Sequence, residues 1–135
     1  MKKIFKKLGV DIIYLFGSHA QGEAHKKSDV DIGVVFQQPA KYKNNLRAYH
    51  QLYDILVEVL PKKYLKERIL ARAHEFDLVF LQFAPLELQF NAVSKGKVLF
   101  AVNPQKEAYR QQVCQRYIDL SYLLRIRQKA VLERI

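Results

Sequence analysis

The sequence predicts a mixed α+β domain: a small mixed β-sheet packed against helices, with a long helix at its C-terminal end. Short apolar runs rich in β-branched and aromatic residues recur along the chain, each bounded by turn-forming residues. Between them lie segments whose apolar residues repeat at helical spacing, and from Pro104 to Ile135 no Gly or Pro interrupts the chain. With 135 residues the chain is expected to form one domain, which buries roughly two-thirds of its unfolded surface. Its core should span about 10–102 and its terminal helix about 104–134.

The elements follow in order. Residues 12–16 form a short, apolar strand that suits a buried position, and Gly17 turns the chain after it. Ser18 is placed to cap a short helix over 20–23, whose free amide hydrogens would favour a phosphate. A second strand carries Asp29, Asp31 and the apolar run to Phe36. Residues 44–60 read as a helix ended by Pro61, with Leu46, Tyr49, Leu52, Tyr53, Leu56 and Leu60 on one side. Another helix is expected over 63–74, then a strand over 75–83 with Asp77 as its lone acid. Pro85 opens a helix bearing Leu86, Phe90 and Val93, Gly96 stops it, and residues 97–102 form the last strand.

In the final helix Val113, Tyr117, Leu120, Leu124 and Val131 make one apolar stripe, and Ile118, Tyr122 and Ile126 a second flank. At 1.5 Å per residue it would run roughly 45 Å, further than a small domain is wide. Part of it should project, where it could grip a partner.

The chemistry is concentrated in three acids. A strand points residues i and i+2 to one face, so Asp29 and Asp31 share a small space that like charges avoid unless a cation joins them. Strands are depleted in Asp, and Mg²⁺ prefers oxygen donors, taking carboxylates together with substrate phosphates. Asp77, in an apolar run that would otherwise make it costly, is the candidate third carboxylate. A phosphate cradle at Gly17 and Ser18 beside these acids points to a metal-assisted nucleotide reaction, with two Mg²⁺ ions expected.

These residues resemble the DNA polymerase β-like nucleotidyltransferase superfamily, and within it the minimal nucleotidyltransferase (MNT) branch. There a Gly-Ser-x-Ala-Arg-Gly element precedes Ser-Asp-x-Asp, as Gly17-Ser18-His19-Ala20-Gln21-Gly22 and Ser28-Asp29-Val30-Asp31 do here. The likeness extends to Phe76-Asp77-Leu78-Val79, Lys97-Val98-Leu99-Phe100 and Arg116-Tyr117-Ile118-Asp119-Leu120. One position departs from the pattern: Gln21 stands where the family has Arg, which removes a cation from the first helix.

The resemblance implies a nucleotidyltransferase fold in a single minimal domain, 1–135. It further implies the antitoxin of a HEPN/MNT toxin–antitoxin pair, which moves AMP from ATP to a tyrosine of a HEPN-domain RNase toxin. In that reading Asp29, Asp31 and Asp77 are the catalytic and metal-binding residues, and Gly17 and Ser18 hold the nucleotide. Two alternatives stand beside it: an antitoxin that neutralises its toxin by binding alone, and nucleotidyl transfer to a small molecule.

Composition narrows the classes. The acceptor is expected to come from outside, since a second acceptor-binding domain would not fit in 135 residues. No apolar stretch reaches a membrane span, and Asp11 interrupts the only run near the N-terminus that might mimic a signal peptide, so a cytoplasmic location is expected. Cys114 has no partner for an internal disulfide and reads as an ordinary helix residue. Net charge is +10, yet the cations are dispersed and accompany no nucleic-acid-binding module; direct nucleic-acid binding is not expected. His19 and His25 match no zinc spacing, and His50 and His74 suit helix surfaces.

Overall fold

The computed structural model describes residues 2–17, 31–59 and 76–134. Its elements are α1 (Lys2–Lys7), β1 (Val10–Phe16), β2 (Asp31–Phe36), α2 (Leu46–Val59), β3 (Asp77–Phe80), α3 (Leu86–Lys95), β4 (Lys97–Ala101) and α4 (Gln105–Glu133). Short 3₁₀ turns occupy Pro39–Tyr42 and Leu81–Phe83. The helices expected over 20–23 and 63–74 lie outside the described residues.

The four strands form one mixed sheet in the order β3-β2-β1-β4. β1 pairs antiparallel with β2 and β4, whereas β2 and β3 are parallel. A parallel pair needs a long crossover, and α2 lies within the chain that supplies it.

Both sheet faces are covered, which explains the near-continuous apolar run of β1. On one face Ile13, Leu15, Ile32 and Val34 pack with Phe5 of α1 and with Leu52 and Leu56 of α2. On the other Ile12, Tyr14, Phe16 and Val35 meet Leu81, then Ala92 and Val93 of α3, then Tyr109 and Val113 of α4. The expected mixed sheet, packed helices and long terminal helix are all present.

Three details differ from the sequence expectation. Helix α1 was not anticipated, because two apolar residues among lysines give little periodicity; it is pinned by Phe5, which is buried against Phe100 with ring centroids 5.2 Å apart. The strand over 75–83 ends at Phe80 because the Gln82 side chain takes over the pairing. Its Oε1 accepts the Phe36 N–H at 2.8 Å and its Nε2 donates to the Phe36 carbonyl at 2.9 Å. Leu46 is exposed, lining an open groove with Tyr42 and Phe80 while Leu52 and Leu56 reach the core. As expected from its length, α4 projects: its buried residues are Tyr109 and Val113, and the stripe beyond Tyr117 is exposed.

Candidate functional site

Three expected site residues come together at one end of the sheet. Asp31 opens β2 and Asp77 opens β3, and the parallel register pairs them directly. Register partners on neighbouring strands point to the same face, roughly 4.8 Å apart at the backbone. Across the other edge of β2, Asp31 is in register with Phe16, the last residue of β1. Gly17 follows immediately with φ +84°, a left-handed conformation that a side chain would strain. The turn predicted from the sequence is therefore beside the acid pair. Ser18 and Asp29 lie outside the described residues, as does Gln21.

Asp31 is half-buried and Asp77 is exposed. Behind the pair the floor is apolar. Gly33, two residues along β2 on the same face, leaves the gap that Leu81 and Phe16 fill; a Cβ there would sit 2.6 Å from Leu81 Cδ1 and 2.9 Å from Phe16 Cε1. A lone Gly within a strand pattern is the sequence signal for such close approach. Two oxygen-donating side chains one strand apart suit a hard cation such as Mg²⁺. Among the described residues no group of three His, Cys, Asp or Glu stands ready to hold a metal ion.

The other polar features sit elsewhere. On the same sheet face the Tyr109 hydroxyl donates to Gln89 Oε1 at 2.8 Å, and Gln89 Nε2 donates to the Ala84 carbonyl at 2.9 Å, a buried network that ties α4 to α3. Burial raises the hydroxyl pKa of Tyr14 to about 12 and that of Tyr109 further still. Both therefore stay neutral at physiological pH. An open groove of about 590 Å³ runs along α3 to Tyr117 and includes neither acid. Cys114 is a half-buried helix residue and His50 is exposed, as expected. No helix among the described residues is long and apolar enough to cross a membrane.

The comparison that decides the family covers most of the chain: residues 1–105 match the family described as polymerase beta, nucleotidyltransferase. The chain belongs to that nucleotidyltransferase family. Among its relatives, the protein adenylyltransferase MntA of Shewanella oneidensis is 29% identical over 111 residues, covering 82% of this chain and 68% of that protein. A Methanocaldococcus jannaschii relative, provisionally named a protein adenylyltransferase, is 31% identical over 86 residues, 59% of this chain and 86% of its own length.

Solved structures share the fold. A toxin–antitoxin crystal structure with AMP-PNP gives a TM-score of 0.65 at 23% identity, covering 96% of this chain and 94% of that one. A structure of the tri-AMPylated Shewanella oneidensis HEPN toxin in complex with its MNT antitoxin gives 0.58 at 22% identity, covering 97% and 95%. In this fold the acid pair and the Gly17 turn occupy one end of β1, β2 and β3.

Proposed function

We propose that this chain is a Mg²⁺-dependent protein adenylyltransferase that transfers AMP from ATP to a tyrosine of a HEPN-domain toxin and so silences it. The observation that carries the reading is the register pairing of Asp31 with Asp77 beside the Gly17 turn. The relative named protein adenylyltransferase and the antitoxin structures of the same fold support it.

Asp31 and Asp77 supply only oxygen donors, a set that fits Mg²⁺; Asp29 would complete it. When bound, the metal neutralises charge on the nucleotide phosphates and on the departing pyrophosphate. Gly17 and Ser18 hold the phosphates against the end of β1, and Asp31 and Asp77 would hold the cation there. The tyrosine oxygen bonds to the α-phosphorus as the bond to the bridging oxygen of pyrophosphate breaks, and Asp77 is placed to take the phenolic proton. Asp77 is exposed, so an acceptor presented on the surface of another protein can reach it.

A second reading, in which binding alone neutralises the toxin, is favoured by the projecting apolar end of α4. One experiment separates the two. The chain is incubated with Mg²⁺, α-labelled ATP and the protein encoded by the adjoining reading frame. Label on a tyrosine of that protein, lost on chelation and in Asp31→Asn and Asp77→Asn variants, supports transfer. Neutralisation without label, equally strong in both variants, refutes it in favour of binding alone.

A further inference from the structure

The far half of α4 is an apolar surface that its own domain leaves uncovered. Tyr117 stacks on Phe90 of α3, ring centroids 3.9 Å apart and planes within 4°. Beyond that stack every residue from Ile118 to Arg134 is exposed except Ser121, which is half-buried. Leu120, Leu124 and Val131 are 42%, 48% and 52% exposed. At 100° per residue they fall on the same side as Tyr109 and Val113, which are buried in the domain. The stripe that seats α4 therefore continues for roughly 25 Å with nothing among the described residues against it.

At its root lies the groove of about 590 Å³, walled by the outer side of α3 at Pro85, Leu88, Asn91 and Ser94 and closed by Tyr117. Groove and overhang meet at Tyr117 as one concave corner. A helix laid against α3 beneath the projecting α4 would stand about 8–10 Å from each, the spacing of packed helices.

Charge selects the occupant. Arg116, Arg127 and Arg134 line one edge of the exposed stripe by helical position, and Lys95 borders the groove. Glu87 is the acid that lines the groove. Asp119 is turned about a third of the way round the helix, where it accepts a 3.0 Å hydrogen bond from Gln115. A second copy of this chain would set these arginines, and a net charge of +10, against their own kind. A bilayer surface favours a helix with one apolar face, whereas Ile118, Tyr122 and Ile126 form a second flank roughly opposite the first.

We infer that this corner is the docking site for an amphipathic helix of the acceptor protein whose apolar stripe is edged by Asp and Glu. The inference takes the identity of that protein from the proposed function but not its chemistry, because the corner contains neither Asp31 nor Asp77. It is a helix-in-groove contact, anchored by Leu120 and Leu124 and steered by the arginine edge.

The test is calorimetric titration of the full chain with the protein encoded by the adjoining reading frame, without ATP or Mg²⁺. The Leu120→Ser plus Leu124→Ser variant should bind about 30-fold more weakly, the scale of losing central apolar anchors. Arg127→Glu should cost about 10-fold, and wild-type affinity should fall as salt rises. Melting should be unchanged in both, because all three side chains are exposed, and Asp77→Asn should bind as the wild type does. Wild-type affinity in both α4 variants overturns the docking site even if AMP is transferred. Binding that is lost in those variants, without any AMP transfer, upholds the site and removes the transfer reading. Absence of binding overturns both. Sedimentation showing a wild-type dimer dispersed by Leu124→Ser, or phosphatidylserine vesicles retaining the wild type alone, also overturns it by giving the face to another occupant.

Discussion

Asp31 and Asp77, far apart in the sequence, are register partners on adjacent parallel strands, each the first residue of its strand. The parallel crossover is what joins them: a hairpin between β2 and β3 would have placed one acid at each end of the sheet. Because both open their strands, their carboxylates lie at the sheet end where Gly17 leaves β1.

Removing either charge should leave the fold intact and remove activity. Asp77 is exposed, and surface substitutions of that kind change stability by no more than about 0.5 kcal/mol. Charge stabilisation by a bound cation contributes several kcal/mol to a transition state, so Asp31→Asn or Asp77→Asn should slow AMP transfer at least about 100-fold. Label transfer and a thermal melt on the same samples check both halves; an active Asp77→Asn enzyme would refute the role given to it.

How much of this was legible in the sequence depended on range. The strand around Ile13 and Leu15, the stop at Gly96 and the unbroken run after Pro104 are local signals, and each produced the element it predicted. The acids were legible as types out of place, since an Asp in an apolar strand demands a reason. That Asp77 would join Asp31 was expected from the chemistry of a metal site, which calls for a third carboxylate; the register between strands so far apart has no local signature. The early end of β3 was equally hidden. It depends on Gln82 meeting the backbone of Phe36, a contact across the fold. Helix α1 escaped because six residues hold too few apolar positions to show a period.

Gly33 is a packing requirement rather than a flexibility point. Its missing side chain lets Leu81 and Phe16 meet beneath the acid pair, and Gly33→Ala would force a Cβ to 2.8 Å from Leu81 Cγ. Overpacking of this kind costs about 1–3 kcal/mol. Denaturant titration should show that loss, and Leu81→Ala in the same chain should recover part of it, because the two substitutions share one space. Independent, additive losses would refute the steric account.

Alkaline pH should destabilise the chain through its buried tyrosines. Burial raises the pKa of Tyr14 to about 12 and that of Tyr109 higher, against 10.0 for the free group. Between those values the unfolded chain has released protons that the folded chain retains, so stability falls as pH rises. The contribution is fully present below pH 10 and is lost as pH climbs towards 12 and beyond. Tyr14→Phe should flatten this slope relative to the wild type in melts taken from pH 9 to 12. An identical slope would show that Tyr14 does not titrate with unfolding.

The Phe90–Tyr117 stack should divide α4 into two regions of different protection. Up to Tyr117 the helix buries Tyr109 and Val113 against the sheet, and the Tyr109–Gln89 bond fixes it to α3. Past it, among the described residues, the helix is exposed and relies on its own helical hydrogen bonds, which hold a helix poorly without tertiary packing. Amide exchange of the free protein should therefore be slow around Val113 and fast from about Leu123 onward. Phe90→Ala should move that boundary towards the N-terminus of α4. In a double-mutant cycle with Tyr117→Ala, the coupling should be about 0.5–1.5 kcal/mol, the scale of an aromatic pair beyond its buried area. Uniform protection along all of α4 in the isolated chain would mean that something covers its far half even without a partner protein, and the division at Tyr117 would be wrong.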